Sequence, residues 1–190
     1  ADGDVDALVG KTLAAEVLNV TAGGSVQLDT AVDRLDVRTS DPAGVSISEA
    51  DGLNLATNTS SLHLNTADSG NVQVTADQAL TLDDIDLFDG TFQITAQGDI
   101  FAEDVRSLSD ADANDIELIA QNGGRIEVGD LDAGTLGDVR LVAEQSLMQQ
   151  AGTQITADVL NIESGDLVEL DTTISRLIAD VAGDLTIADS

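Results

Sequence analysis

The chain contains no cysteine, tryptophan or tyrosine, and its only lysine is Lys11. Without cysteine there is no disulfide and no thiol chemistry. Three Phe and one Met are the only large unbranched or ring-bearing apolar side chains beside abundant Val, Ile and Leu, so a core has to be built from aliphatic layers. The shortage of rings also removes the stacking platforms on which sugar-binding grooves usually rest. Basic residues are scarce: 7 Lys and Arg stand against 36 Asp and Glu, a formal net charge of −29. Nucleic-acid binding requires a basic surface and is excluded, and attraction to anionic membranes is excluded on the same ground. No apolar run approaches the roughly 20 residues of a membrane-spanning helix, so no membrane insertion is expected. No signal-peptide pattern is present. The opening residues ADGDVDAL, without Met, read as those of a processed or excised chain.

What is present is dense aliphatic patterning. Hydrophobic residues make up 42% of the chain, and the mean hydropathy of +0.07 separates it from acidic disordered segments. The phrase LNVTAGGSVQL at 18–28 has two apolar-x-apolar pairs around a Gly-Gly turn. Variants of it begin at Leu35, Leu53, Val72, Phe92, Ile116, Val139, Leu160 and Leu177, spaced 17 to 24 residues apart and averaging about 20. A fixed period near 20 marks a solenoid with one turn per repeat. Alternation with period two is the signal of half-buried strands, and Gly, Asp, Asn and Ser fill the breaks. Helical periodicity is missing. The expected architecture is therefore an all-β, right-handed parallel β-helix of about nine coils, spanning the whole of residues 1–190. Residues 1–12 form at most a short N-terminal cover. The six-residue beat of left-handed forms is absent, as is the G-G-x-G-x-D calcium repeat.

Five detailed expectations follow. Strands should be two to five residues long. Leu18, Val20, Val26 and Leu28 should point inward, with Asn19 and Gln27 outward. The first residues of the phrases should stack in one column from Leu18 through Leu35 and Leu53 to Leu177, in a rod roughly 43 Å long at the usual strand spacing. The longest steps place bulging loops at 103–115 and 129–138. Phe88, Phe92 and Phe101 should form a ring stack inside the rod.

LNVTAGGSVQL, FQITAQGDIFA (92–102) and LIADVAGDLTI (177–187) resemble the filamentous-haemagglutinin-type repeats of large bacterial exoproteins, and the resemblance runs from about residue 13 onward. It implies a right-handed β-helix, export to the cell surface or medium, and a role in adhesion or contact-dependent delivery. The secretion domain of that family is not recognisable, and the chain is unusually acidic. No capping helix is visible at either end of the repeat. The ends are expected to meet either flanking coils of a longer adhesin or other copies in a filament, and the outer surface to meet a host-cell or matrix receptor.

The candidate chemistry is limited. Asp outnumbers Glu by 28 to 8, and stacking brings like charges together, which salt or divalent cations relieve. DADANDIE (110–117) opens like a calcium-binding EF-hand loop, but Asp115 stands where Gly is needed and Gln121 where the closing Glu would be. An irregular calcium site from Asp110, Asp112 and Asp115 is the one cofactor expectation. His63, the only histidine, should face outward in LHL and cannot build a metal cluster alone. The arginines at 34, 38, 106, 125, 140 and 176 are scattered, and Arg125 and Arg140 are expected on adjacent coils, each in a structural salt bridge to a neighbouring Asp. Abundant carboxylates alone do not specify a glycosidase pair, so no catalytic residue is assigned and a polysaccharide-active enzyme ranks behind a structural role. The Asn-x-Ser/Thr matches NVT (19–21) and NTS (58–60) are taken as coincidental in a bacterial chain.

Overall fold

The computed structural model describes residues 3–6, 11–39, 44–50 and 52–189. These form one parallel sheet wound into a solenoid of about nine turns of roughly 20 residues, without helix. In chain order the strands are β1 (Val5–Asp6), β2 (Leu13–Ala22), β3 (Val26–Thr39), β4 (Val45–Glu49), β5 (Leu53–Thr57), β6 (Ser61–Thr66), β7 (Val72–Ala76), β8 (Leu80–Leu87), β9 (Phe92–Ala96), β10 (Ile100–Ser107), β11 (Ile116–Ala120), β12 (Ile126–Asp132), β13 (Val139–Ala143), β14 (Leu147–Gln149), β15 (Ile155–Ser164), β16 (Val168–Val181) and β17 (Leu185–Asp189). Of the expected N-terminal cover, residues 1, 2 and 7–10 lie outside the described residues. Val5 and Asp6 join the ladder in register with Val26 and Gln27.

Three faces run along the rod. The first is built from the ends of β2 and β3, then β5, β7, β9, β11 and β13, then the ends of β15 and β16. The second runs from β1 and the start of β3 through β4, β6, β8, β10, β12 and β14 to the start of β16 and β17. The third is narrower. Long strands reach it by rounding a corner, and Ile85, Val105, Leu131, Ile155 and Thr172 stack there. Strands are thus longer than expected, 14 residues in β3 and β16, because the backbone ladder continues around the bend instead of breaking at it.

Alternation sorts the side chains as the pattern implies. Val26 and Leu28 are buried, Leu18 and Val20 are half-buried on an outer coil, and Asn19 and Gln27 are exposed. The inward column Leu53–Val72–Phe92–Ile116–Val139–Leu160–Leu177 is continuous. One junction differs: Leu35 stacks on Leu55 rather than on Leu53. Leu53 occupies the corner one inward position earlier. A shift of two residues keeps every side chain on its own face, whereas a shift of one would reverse them all. At the end of the first face the inward residues are Thr57, Ala76, Ala96, Ala120 and Ala143, stacked in register. The chain turns sharply there, and only small side chains fit against the bend.

The expected loops are shorter than the spacing suggested. Residues 103–107 belong to β10, with Val105 buried, and 129–132 belong to β12, with Leu131 buried. Only 108–115 and 133–138 leave the ladder. The expected ring stack is also corrected. Phe92 alone is buried; Phe88 is 46% exposed, and Phe101 points outward beneath the Arg125 guanidinium at 5.4 Å. Ile100 and Ala102 take the inward positions around Phe101, so alternation puts its ring outside.

One buried acid breaks the apolar interior. Glu49 lies inside the rod on a corner column between Thr30 and Thr66. Its carboxylate accepts hydrogen bonds from Thr30 Oγ1 at 2.8 Å, Val32 N at 3.2 Å and Ala50 N at 2.9 Å. It satisfies backbone donors where the chain rounds the corner, which offsets the cost of burying the charge.

Two adjacent residues test the assigned faces. Leu160 is fully buried, and Asn161 beside it points outward next to Arg140. Leu160→Asp should cost several kcal/mol through an unpaired buried charge and lower the thermal midpoint sharply. Asn161→Asp should change stability by less than about 0.5 kcal/mol. Circular dichroism melts of both variants provide the comparison, and equal tolerance would refute the assignment.

Candidate functional surface

Most acids with visible roles serve the neighbouring coil. Asp4 Oδ1 accepts from Ser25 N at 2.8 Å, Asp99 from Arg125 N at 3.0 Å, Asp130 from Gln154 N at 2.8 Å and Asp138 from Val159 N at 3.1 Å. The first three close a backbone donor where the next coil enters its strand, and Asp138 closes one within β15. Carboxylates do this well because a charged acceptor strengthens the hydrogen bond.

Two of the three candidate calcium ligands, Asp110 and Asp115, fall into the same scheme, and the three do not form a metal-holding group. The Asp110 carboxylate accepts from Thr135 N and Thr135 Oγ1, both at 2.8 Å, and from Leu136 N at 3.0 Å. Asp115 accepts from Asp138 N at 3.1 Å, and Asp112 is exposed. Among the described residues, no group of three or more acidic, His or Cys side chains is arranged to hold a metal. Between them stands Asn114, fully buried and missed in the sequence. Its Oδ1 accepts from Gly90 N at 2.9 Å, while its Nδ2 donates to Ser109 O and Oγ at 2.6 and 2.9 Å. The 108–115 loop is therefore a clip, fastened to one neighbouring coil by Asn114 and to the other by Asp110. Its Asp-Ala-Asp-Ala-Asn spelling gave no signal separating a clip from a metal loop.

Arginines are spent on acids. Arg38 pairs with Asp36 and Asp77, Arg106 with Asp86 at 2.7 Å and Asp104 at 2.8 Å, and Arg125 with Asp99 at 3.4 Å. Arg140 bridges Glu117 and Glu163, so its partners are glutamates. His63 faces outward, with Nδ1 3.6 Å from Asp84 Oδ2. Ser46 precedes it in the same column, but among the described residues no hydrogen bond joins Ser46 to His63.

The most continuous outward feature lies on the first face. Asn54 Nδ2 donates to Gln73 Oε1 at 3.3 Å, Gln73 Nε2 to Gln93 Oε1 at 2.7 Å, and Gln93 to Glu117, which pairs with Arg140. Five successive coils are tied by one column of side chains. At the far end of this column lies an open groove of about 350 Å³, with Asp115, Asp138, Arg140, Asn161 and Arg176 among its walls.

Two carboxyls are held above their ordinary value. Burial is the main cause for both Asp104 and Asp138. Neighbouring acids add to it: Asp84, Asp130 and Asp86 for the first, and Asp115, Asp158 and Asp112 for the second. Arg106 opposes the rise at Asp104, and the Val159 N–H opposes it at Asp138.

No protein-family model matches the chain, and no curated protein or solved structure matches it.

Two measurements test this surface. The folded state binds protons on Asp104 and Asp138 more tightly than the unfolded chain does. Their contribution to stability is fully present below the ordinary value of 3.8 and is lost as pH rises through the higher folded values. Urea midpoints should therefore increase on going from neutral to mildly acidic pH, and the double variant Asp104→Asn/Asp138→Asn should reduce that increase. Arg140→Ala should cost about 1 kcal/mol by leaving Glu117 and Glu163 facing each other without a cation. Added salt should recover part of that loss in the same assay.

Proposed function

We propose that the chain is a structural rod segment of a large secreted bacterial cell-surface protein of the filamentous-haemagglutinin type, which projects and presents an adhesive surface outside the cell. The observation that carries this reading is the coil-to-coil register kept along the first face. Outward side chains are tied into columns along the rod, as in Asn54–Gln73–Gln93–Glu117–Arg140, and not gathered around an enclosed cleft. Such a body supplies reach and a repeating outer face. A net charge of −29 supports a place in open aqueous surroundings, where self-repulsion keeps rods apart.

The test combines shape with attachment. Negative-stain electron microscopy of the purified chain should show short rods, about 43 Å long for nine coils at strand spacing, with and without millimolar calcium. Beads coated with the chain should bind host-cell monolayers or extracellular matrix above the level of beads coated with an equally acidic globular protein. Long uniform fibres would favour a self-assembling filament subunit instead. Rods without any attachment would remove the adhesive part of the reading.

A further inference from the structure

On a chain this acidic, one column of surface side chains carries no charge over five coils. In the middle coils of the first face, the outward column Ala56–Thr75–Thr95–Ile119–Val142 has no ionisable side chain. Along one side runs the amide column Asn54–Gln73–Gln93, continued by Glu117 and by Arg140, which also pairs with Glu163. Along the other, Gln97 Nε2 donates to Gln121 Oε1 at 2.7 Å. The result is a methyl-rich centre between polar rims of amides and paired charges, which is how protein interfaces are built. Asp77 precedes Gln97 in this second rim and is paired with Arg38; other acids of the same coils stand on other surfaces, where Asp86 and Asp132 flank Arg106 in one outward column and Asp104 stacks on Asp130.

The chemistry of this face selects its partner. A laddered amide keeps one N–H and one oxygen lone pair free, so amides complement amides, and a methyl stripe complements a methyl stripe. A carboxylate surface has neither property. We propose that this face is a contact surface for a second copy of the chain, with two rods lying side by side and antiparallel about a twofold axis. That operation sets each column against itself. Five rungs at strand spacing and three columns cover roughly 400 Å² per copy, about half of the roughly 800 Å² that a standard interface uses on each partner. The dimer is therefore weak and reversible. The charge on each rod opposes it, and salt screens that opposition. Association strengthens with ionic strength, the reverse of an interface held by ion pairs.

Sedimentation equilibrium of the chain in 0.1 M and 1 M sodium chloride, with small-angle X-ray scattering of the same samples, tests this. The association constant should rise roughly tenfold or more as the Debye length falls from about 10 Å to about 3 Å, and the dimer's longest dimension should stay close to that of the monomer. Thr95→Asp and Ile119→Lys both point outward, so circular dichroism should confirm an intact fold. Each should lower the association constant at least tenfold by placing an unpaired charge in the contact. Gln27→Glu, which adds a negative charge on the second face, should leave it unchanged. Ile119→Lys is decisive because it reduces the net negative charge; association governed by net charge alone would strengthen. A monomer at both salt concentrations, a dimer twice as long as the monomer, or a dimer indifferent to both face variants would overturn the proposal.

Discussion

Every part of this molecule depends on one constraint, the parallel backbone ladder that holds each coil in register with the next. Hydrogen bonds such as Val72 N to Thr91 O at 2.9 Å and Phe92 N to Asp115 O at 2.8 Å recur along the chain. Once the register is set, the vertical neighbours of a side chain are the equivalent residues of adjacent coils. Leu, Ile and Val columns fill the interior because an aliphatic side chain packs well against another of its kind at strand spacing. Alanine columns fall where the chain bends. Outside, the same rule turns a repeated amide into a ladder.

The rule that rewards repeated amides penalises repeated charges. Identical acids in one column would stand about 5 Å apart and repel. The chain disperses its acids to corners and turns, where the carboxylate caps a backbone N–H of the next coil, as Asp99, Asp110, Asp130 and Asp138 do. Where acids do stack on the outside, as Asp104 on Asp130, an arginine is placed among them: Arg106 reaches both Asp86 and Asp104. The scarcity of bases is thus tolerable because Arg38, Arg106 and Arg140 are each set where two or more acids meet. The remaining repulsion adds to burial, the main cause, in raising the Asp104 and Asp138 carboxyls.

Much of this was legible in the sequence, for a physical reason. The fold is written in two periods, two residues for alternation and about 20 for the coil, and both survive variation in the letters. Inward and outward assignments at 18–28 follow directly from the first. Features that depend on where the chain bends were not legible. Leu35 and Leu53 open similar phrases, yet the corner after β3 moves their levels apart by two residues. Phe101 is apolar and outward because its neighbours hold the inward parity, a fact that hydrophobicity alone conceals. Residues 103–107 and 129–132 read as loops because their coils are long, when the added length lies after them. The candidate calcium ligands show the same dependence. Asp110 and Asp115 are close in sequence, but each is directed to a different backbone donor on the next coil, Asp110 to Thr135 and Leu136 and Asp115 to Asp138.

Register also decides what kind of surface such a chain can offer. Side chains in one column point the same way, at equal spacing, from parallel strands. Groups that must converge on a single atom, as in a metal site or a nucleophile with its base, require elements that approach from different directions. In a solenoid those elements are the loops that leave the rod. Here the 108–115 loop is drawn back onto the rod by Asn114 and Asp110, and the 133–138 loop is held by the same Asp110 through Thr135 and Leu136. What the geometry amplifies instead is repetition. A weak contact available on one coil recurs on the next at a fixed distance, so small energies add along the axis for any partner with a matching repeat. That property suits a surface read over its length, and it gives the uncharged column of the first face more weight than any single residue on the molecule.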